Sequence, residues 1–465
     1  MRSAAILILP LAACVSGCAL QTYHAAPVSA PAIAAQLEGR SLDDAGLRAW
    51  MRQAAGFDAP SWPLATWDLN TLTLAAYYFN PQMDVARANA AVAAAAIQTA
   101  AMKPNPSVSI GPGYESAPES PYLLAFDFSL PIETAGKRGY RIAAATHLSE
   151  ASRIQIAATA WTVRSRVRAA LVNLVFASDT VTLLHSQQAA QSHSVDLLQA
   201  RLRAGEIALP EVTTARIDLA NVLQAVRTAE GQEQSARAAV AAAIGIPLSG
   251  LGGKTLAWPG LDAPPAPSTL PAQSIRADAV SNRLDVQSAL ANYEAAQSRL
   301  QLAIARQYPD INLGPGYAFE EGAHLISLQL GAVLPLRNRN QGPIAEAEAQ
   351  RKAAGAQLLA TQSSVIAQTD AALAGYNAAF AVLEEARHSL AEVEAQHHTT
   401  TTWFQQGETG RLATVSTDVQ LAVAKRAQLD AVHQAQLALG ALEDALERPL
   451  DPANSLALPR QAPRP

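Results

Sequence analysis

The chain is written twice. Pro106-Ser-Val-Ser-Ile-Gly-Pro-Gly-Tyr114 returns as Pro309-Asp-Ile-Asn-Leu-Gly-Pro-Gly-Tyr317, and Ser129-Leu-Pro-Ile-Glu followed by Gly139 returns as Val333-Leu-Pro-Leu-Arg followed by Gly342. A third pair, Arg203-Ala-Gly-Glu-Ile and Gln405-Gln-Gly-Glu-Thr, follows in the same order. The offset stays near 200 residues, too long for a solenoid unit, so the fold must be built from two copies of one large module.

Each copy carries two segments with strand alternation. In the first, Tyr122, Leu124, Phe126, Phe128 and Leu130 fall on one face and Leu123, Ala125, Asp127 and Ser129 on the other. In the second, Ile326, Leu328, Leu330, Ala332 and Leu334 oppose Ser327, Gln329 and Gly331, while Ile311, Leu313, Tyr317 and Phe319 oppose Asn312, Gly316, Ala318 and Glu320. The expected strands are about 107–116, 122–131, 310–320 and 324–335. At about ten residues each they suit tilted strands crossing an outer membrane, although hairpins of a soluble sandwich alternate in the same way. Pro112 and Pro315 each remove a ladder donor, which places them at bends or at a rim.

The rest reads as helix. Between Gly139 and Gly205 there is no proline and no glycine, and apolar residues recur every seven at Val167, Leu174, Val181, Val195 and Leu202, with Gln188 the one break. That is a coiled-coil seam roughly 100 Å long. Gly342 to Gly407 gives a counterpart, interrupted at Gly355 and Gly375. Glu211 to Ile244 and Arg411 to Leu446 return, and about Leu72 to Lys103 and Gln273 to Gln307 lead into the strands. The domain plan is a first repeat over 71–244, a proline- and glycine-rich surface linker over 245–271, a second repeat over 272–450 and a disordered tail over 451–465.

Four strands cannot span a bilayer alone, because two open edges would leave unpaired backbone groups in hydrocarbon. Closure therefore needs further copies. Two would give the smallest bacterial barrel and three a twelve-stranded one with room for an aqueous lumen; sequence physics does not choose between them.

The amino-terminal segment agrees with an envelope location. Arg2, the apolar run Ala4 to Ala13 and Val15-Ser16-Gly17-Cys18 form a secretory signal over 1–17 that ends in a lipobox, so Cys18 is the expected lipidated residue. Leu11-Ala-Ala-Cys14 satisfies the same pattern and is the alternative. Residues 18–70 would then be a lipid-anchored extension. After cleavage at Cys18 no other thiol is left, which excludes disulfides and thiolate metal sites. Charge is mixed and the net balance is only −5, with no basic block to bind nucleic acid.

Lipobox, duplicated hairpins, paired long helices and glycine-marked turns together resemble the TolC family of outer-membrane efflux ducts. Gly17-Cys-Ala-Leu-Gln-Thr-Tyr23 is similar to the start of many efflux lipoproteins, and Leu130-Pro-Ile-Glu-Thr-Ala-Gly-Lys-Arg-Gly139 with Asn80-Pro81 resembles the CzcC-like branch, associated with heavy-metal efflux. The resemblance implies a mainly α fold with membrane β: a homotrimer with a twelve-strand barrel in the outer membrane and a twelve-helix periplasmic tunnel. It also implies a periplasmic adaptor and an inner-membrane resistance-nodulation-division pump as partners. Cargo would be heavy-metal cations, or alternatively drugs and other organic compounds. A lipid-tethered coiled-coil scaffold that transports nothing is the alternative of another class.

The same resemblance places adaptor docking and the gate at the helix turns, with Gly205, Glu206, Glu211 and Arg216 in the first copy and Gly407, Glu408 and Arg411 in the second. Glu211 would take the acidic gate position, and three symmetry-related carboxylates would form a cation-attracting ring. Ala413 and Ser416 stand where the family prototype is acidic, which weakens the case for a second ring. Arg411 would latch a neighbouring carboxylate. His397-His398 and His433 invite a metal reading, but adjacent helical residues point about 100° apart and cannot share an ion. Arg164 and Arg168 share a helix face, read as solvated. Gly253-Lys254-Thr255 ends like a phosphate loop but has Leu248 where the earlier glycine belongs. With no His-Glu-x-x-His and no Gly-x-Ser-x-Gly, the sequence offers neither a catalytic site nor a cofactor site.

Overall fold

In the computed structural model, residues 21–450 are described, apart from 59–60, 115, 117–121, 271–276, 278 and 321. Cys14, Cys18, the signal segment and the tail over 451–465 lie outside the described residues. Two units are distinguished, 1–40 and 41–465. In the first, α1 (Ala30–Glu38) buries none of its residues.

The second unit runs α2 (Ala45–Ala54), β1 (Thr66–Trp67), α3 (Leu69–Phe79), α4 (Pro81–Ala101), β2 (Ser107–Tyr114), β3 (Tyr122–Ile132), α5 (Lys137–Arg203) and α6 (Leu209–Ile244). It continues with β4 (Thr255–Leu256), α7 (Leu284–Ala305), β5 (Ile311–Glu320), β6 (Ala323–Ala332), α8 (Gln341–Gln405) and α9 (Arg411–Leu446). The second copy thus repeats the hairpin, long helix and returning helix of the first.

The long helices α5 and α8 have 67 and 65 residues, and their returning partners α6 and α9 have 36 each. At about 1.5 Å per residue these are roughly 100 Å and 54 Å long. Along the α5 seam Val167, Leu174 and Val195 are buried, while Val181 and Leu202 are half-buried. One 18-residue window of α5 has a mean hydropathy of 1.5, apolar enough to cross a bilayer, but half of it is buried inside the protein. It is core.

Both helices leading into the strands are broken before they reach the sheet, and the expected start of the second, Gln273, lies outside the described residues. The expected Leu72–Lys103 helix is two, α3 and α4, divided at Asn80, whose side-chain oxygen caps α4 by accepting from Gln82 N at 3.0 Å. The Asn80 amide also donates to Ala243 O at 3.0 Å. In the second copy the break falls at Arg283, whose Nη1 donates to Ala445 O at 3.0 Å, and the helix that leads into β5 starts only at Leu284. Gly245 (φ 93°) and Glu447 (φ 49°) occupy matching left-handed positions just after the returning helices. A Cβ on Gly245 would meet Asn80 Cα at 2.9 Å, so the first break closes directly over a glycine.

Two further expectations need correction. Residues 41–58 and 61–70 are part of the main body rather than an extension: Leu42, Leu47, Trp50, Met51 and Trp67 are buried in one cluster with α3, α5 and α6. Burying each such side chain contributes about 1.5–3 kcal/mol, too much to leave the segment loose. The stretch 245–270 is likewise no bare linker. β4 pairs in parallel with β1, Leu251 is fully buried, and backbone carbonyls of Leu261 and Pro265 accept from Gln436 Nε2 and Tyr376 Oη of the second copy. Its prolines make it irregular, and its apolar side chains still dock.

Candidate functional site: the channel wall and the helix turns

The four long strands form one antiparallel sheet in the order β2-β3-β5-β6, which places the two hairpins side by side. Register aligns Val108 with Phe128, Ile110 with Phe126, Phe126 with Tyr317, Tyr317 with Ile326 and Leu313 with Leu330. One face is therefore apolar except for His324, whose Nδ1 meets Tyr317 Oη at 2.7 Å, and Ile326, Leu328 and Leu330 on it are 84%, 72% and 75% exposed. Such a face in water would be a large liability; against lipid it is stabilising. The opposite face aligns Ser107 with Ser129, Ser109 with Asp127, Asp127 with Gly316 and Gly316 with Ser327.

Pro112 and Pro315 lie within strands rather than at a rim. Pro112 is on the edge strand β2, where a missing donor costs nothing inside the sheet. Pro315 is in the inner strand β5, and there the β3–β5 ladder skips from Asp127↔Gly316 to Leu130↔Leu313. The neighbouring Gly314 answers the same constraint, since a Cβ there would sit 2.7 Å from Phe128 O.

Where strands meet helices, the Leu130–Gly139 motif acquires a physical role. Ala135 (φ 55°) and Gly136 (φ 71°) turn the chain from β3 into α5. Lys137 Nζ then reaches Asp310 Oδ1 at 2.7 Å and Tyr308 O at 2.6 Å, tying the first copy to the second at the base of β5. Arg141 pairs in bidentate fashion with Glu133, and Arg138 Nε donates to Ala101 O at 2.6 Å. The second copy repeats the last contact with Asn340 Nδ2 on Ala303 O at 2.7 Å. The Arg141 hydrogen bond holds the Glu133 carboxyl below its ordinary range, against a smaller upward push from desolvation. A depressed carboxylate stabilises the fold above its unfolded pKa and loses that contribution as pH falls through the folded value. Glu133→Gln is accordingly expected to cost about 1 kcal/mol at pH 7 and progressively less below about pH 4, checked by denaturant titrations across pH.

At the far end of the helices, Gly205 (φ 75°) and Gly407 (φ 78°) close two matching turns. Glu206 N donates to Arg201 O and Glu408 N to Trp403 O, both at 2.9 Å. Antiparallel packing of α5 on α9, marked by Asn173 with His433 and Arg168 with Gln436, brings the two turns to the same end. Glu206 pairs with Arg201 at 3.0 Å. Glu211 is exposed, and its Oε1 accepts from Ala208 N at 3.4 Å as a helix cap. Arg216, Glu408 and Arg411 are exposed, and no ion pair among the described residues joins Arg411 to a carboxylate.

The histidines do not assemble a metal site: no group of three or more candidate ligands occurs among the described residues. His397 Nε2 meets Asp418 Oδ1 at 2.7 Å, and His433 stacks on Phe176 with ring centroids 4.0 Å apart.

The solvated reading of Arg164 and Arg168 is wrong. Both are buried and converge on Glu443 Oε2, at 3.2 and 3.1 Å, and Gly440 leaves the room that Arg168 occupies. Asp444, next along α9, accepts from Trp161 Nε1 and Ser165 Oγ. The only sequence signal for this cluster was two arginines one turn apart.

A sheet apolar on one face and polar on the other, open at both edges and continued by paired long helices, defines the subunit of an outer-membrane channel that assembles to close its barrel. The family comparison agrees: residues 76–246 and 275–447 each match the outer membrane efflux protein family, and the chain belongs to that family. The double match is the internal duplication itself. Over 271 residues the chain is 27% identical to the cobalt-zinc-cadmium resistance protein CzcC of Cupriavidus metallidurans, across 58% of this chain and 63% of that protein. Thus the match spans less than two thirds of the curated relative. The fold is similar to that of the outer membrane protein VceC of Vibrio cholerae (TM-score 0.64, 21% identity, covering 82% of this chain and 97% of that one). It is also similar to CusC (TM-score 0.63, 16% identity, covering 85% and 96%).

Proposed function

We propose that three copies of this chain form the exit duct of a tripartite efflux system, conducting heavy-metal cations passively to the exterior. The observation that carries this reading is the four-stranded sheet with unpaired β2 and β6 edges and an exposed apolar face. Three such sheets close a barrel of twelve strands, about the size that leaves an aqueous lumen. The long helices then run into the periplasm, where the turns at Gly205, Glu206, Glu211 and Arg216 and at Gly407, Glu408 and Arg411 face a periplasmic adaptor and gate the tunnel. A resistance-nodulation-division pump supplies the energy. The cation reading draws support from the similarity to a protein named for cobalt, zinc and cadmium resistance.

Heat-modifiable trimers that conduct ions in planar bilayers are the expected result, and absence of both rules the duct out in favour of a scaffold. For the cargo, a deletion strain should lose tolerance to zinc, cobalt or cadmium while keeping tolerance to organic toxicants.

Acylation of Cys18 belongs to the same proposal. Because the barrel already holds the trimer in the membrane, Cys18→Ala exported through a conventional signal should lower trimer abundance several-fold and leave single-channel conductance unchanged. Normal trimers with altered conductance would show that the lipid has a direct part in the pore.

A further inference from the structure

We infer that Asp127 is a fixed-charge filter in the barrel wall, which makes the strand region itself selective for cations independently of the helix turns. The inference rests on the channel reading above and adds the residue that sets ion preference. Register places Asp127 on the polar face, between the apolar Phe126 and Phe128 and level with Ser109 on β2 and Gly316 on β5. The four long strands contain two carboxylates, Asp127 and Glu320, and no lysine or arginine at all. The formal charges on any wall they build are therefore negative. Glu320 lies at the last residue of β5, whereas Asp127 lies in the middle of β3, where a barrel is bounded by lipid and field lines are concentrated in the pore.

A separate observation fixes where the carboxylate sits. A Cβ on Gly316 would lie 2.9 Å from Asp127 Oδ1 and 2.7 Å from Ser327 Oγ. Asp127 therefore lies over the bare backbone of the neighbouring strand, beside Ser327. In that position it leaves the lumen open, so passing cations are attracted without being trapped. Conduction requires that combination: binding favourable enough to enter and weak enough to leave.

The test is the reversal potential of the full-length protein in planar bilayers under a potassium chloride gradient. Wild type should prefer potassium over chloride, and Asp127→Asn should lower the permeability ratio by at least about threefold without abolishing conductance. Ser327→Lys keeps Asp127 and sets a cation beside it, so it should produce the same shift even if Asp127→Asn fails to assemble. The shift caused by Asp127→Asn should be the same size in a Glu211→Gln background as in the wild-type background, because the wall acts separately from the ring at the helix turn. Conducting wild-type channels without cation preference, or an unchanged ratio in Asp127→Asn or Ser327→Lys channels, would overturn the filter and leave the duct standing. An Asp127→Asn shift that disappears in the Glu211→Gln background would assign selectivity to the helix turns and overturn it equally. Absence of any wild-type conductance would overturn the duct, and the filter with it.

Discussion

Glu443→Ala should destabilise the protein by about 3–5 kcal/mol, far more than a typical surface change, because it strands two buried guanidinium groups. Arg164 and Arg168 have side chains 5% exposed, Glu443 is 3% exposed, and one oxygen, Oε2, serves both arginines. The other, Oε1, accepts from Leu450 N at 2.9 Å, so truncation also frees a backbone donor just after α9. Burial already pushes the Arg168 guanidinium down, and the neighbouring Glu443 carboxylate is the main influence that opposes it. Replacing all three residues together, Arg164→Met, Arg168→Met and Glu443→Leu, should recover most of the loss, since a buried ion pair gains little over apolar packing of similar volume. Denaturant titration followed by tryptophan fluorescence reads both variants, with Trp161 and Trp258 stacked on these arginines. A Glu443→Ala protein within about 1 kcal/mol of wild type would show that water reaches the cluster. A triple variant as unstable as the single one would show that packing volume, not unpaired charge, sets the cost.

This cluster also shows where sequence reading stops. Periodicity finds the face that Arg164 and Arg168 share, but which face is buried is decided by a carboxylate 279 residues further on. The break at Arg283 is hidden for the same reason: no proline marks it, and its partners are Ala445 O and, through Leu284 N, Glu447. At Asn80 the signal was local, an N-cap asparagine followed by proline at the first helical position, and a continuous helical pattern obscured it. The belt over 245–270 was read by its prolines, which report the absence of regular structure but not whether Leu251 finds a pocket. What could be read was what the backbone encodes locally. Gly205 and Gly407 take left-handed conformations at the turns, and strand alternation assigns each face of the sheet. The wall was thus legible in nearly every residue, and the clamp at its base only in part: Lys137 stands in the motif, and its partner Asp310 belongs to the other copy.

The sharpest test of that wall uses neighbours. Leu328 and Ser327 are consecutive in β6, paired with Pro315 and Gly316, and point to opposite faces. A lysine on the lipid face near the midplane costs about 2–4 kcal/mol, and in the proposed trimer the cost is met three times, about 6–12 kcal/mol per assembly. The same lysine on the lumen face meets water and a negative wall, so its cost should be close to zero. Leu328→Lys should therefore almost abolish heat-modifiable trimers in the outer-membrane fraction, while Ser327→Lys assembles at close to wild-type levels. A shift of one residue in register would exchange the two outcomes, because alternation has a period of two. Equal assembly of both variants would mean that the apolar face meets water, with neither lipid nor protein covering it. Failure of Leu328→Lys alone would place that face in an apolar environment, and because β6 is also an edge of the sheet, a bilayer then requires that edge to pair with another copy, since its unpaired backbone groups could not be left in hydrocarbon.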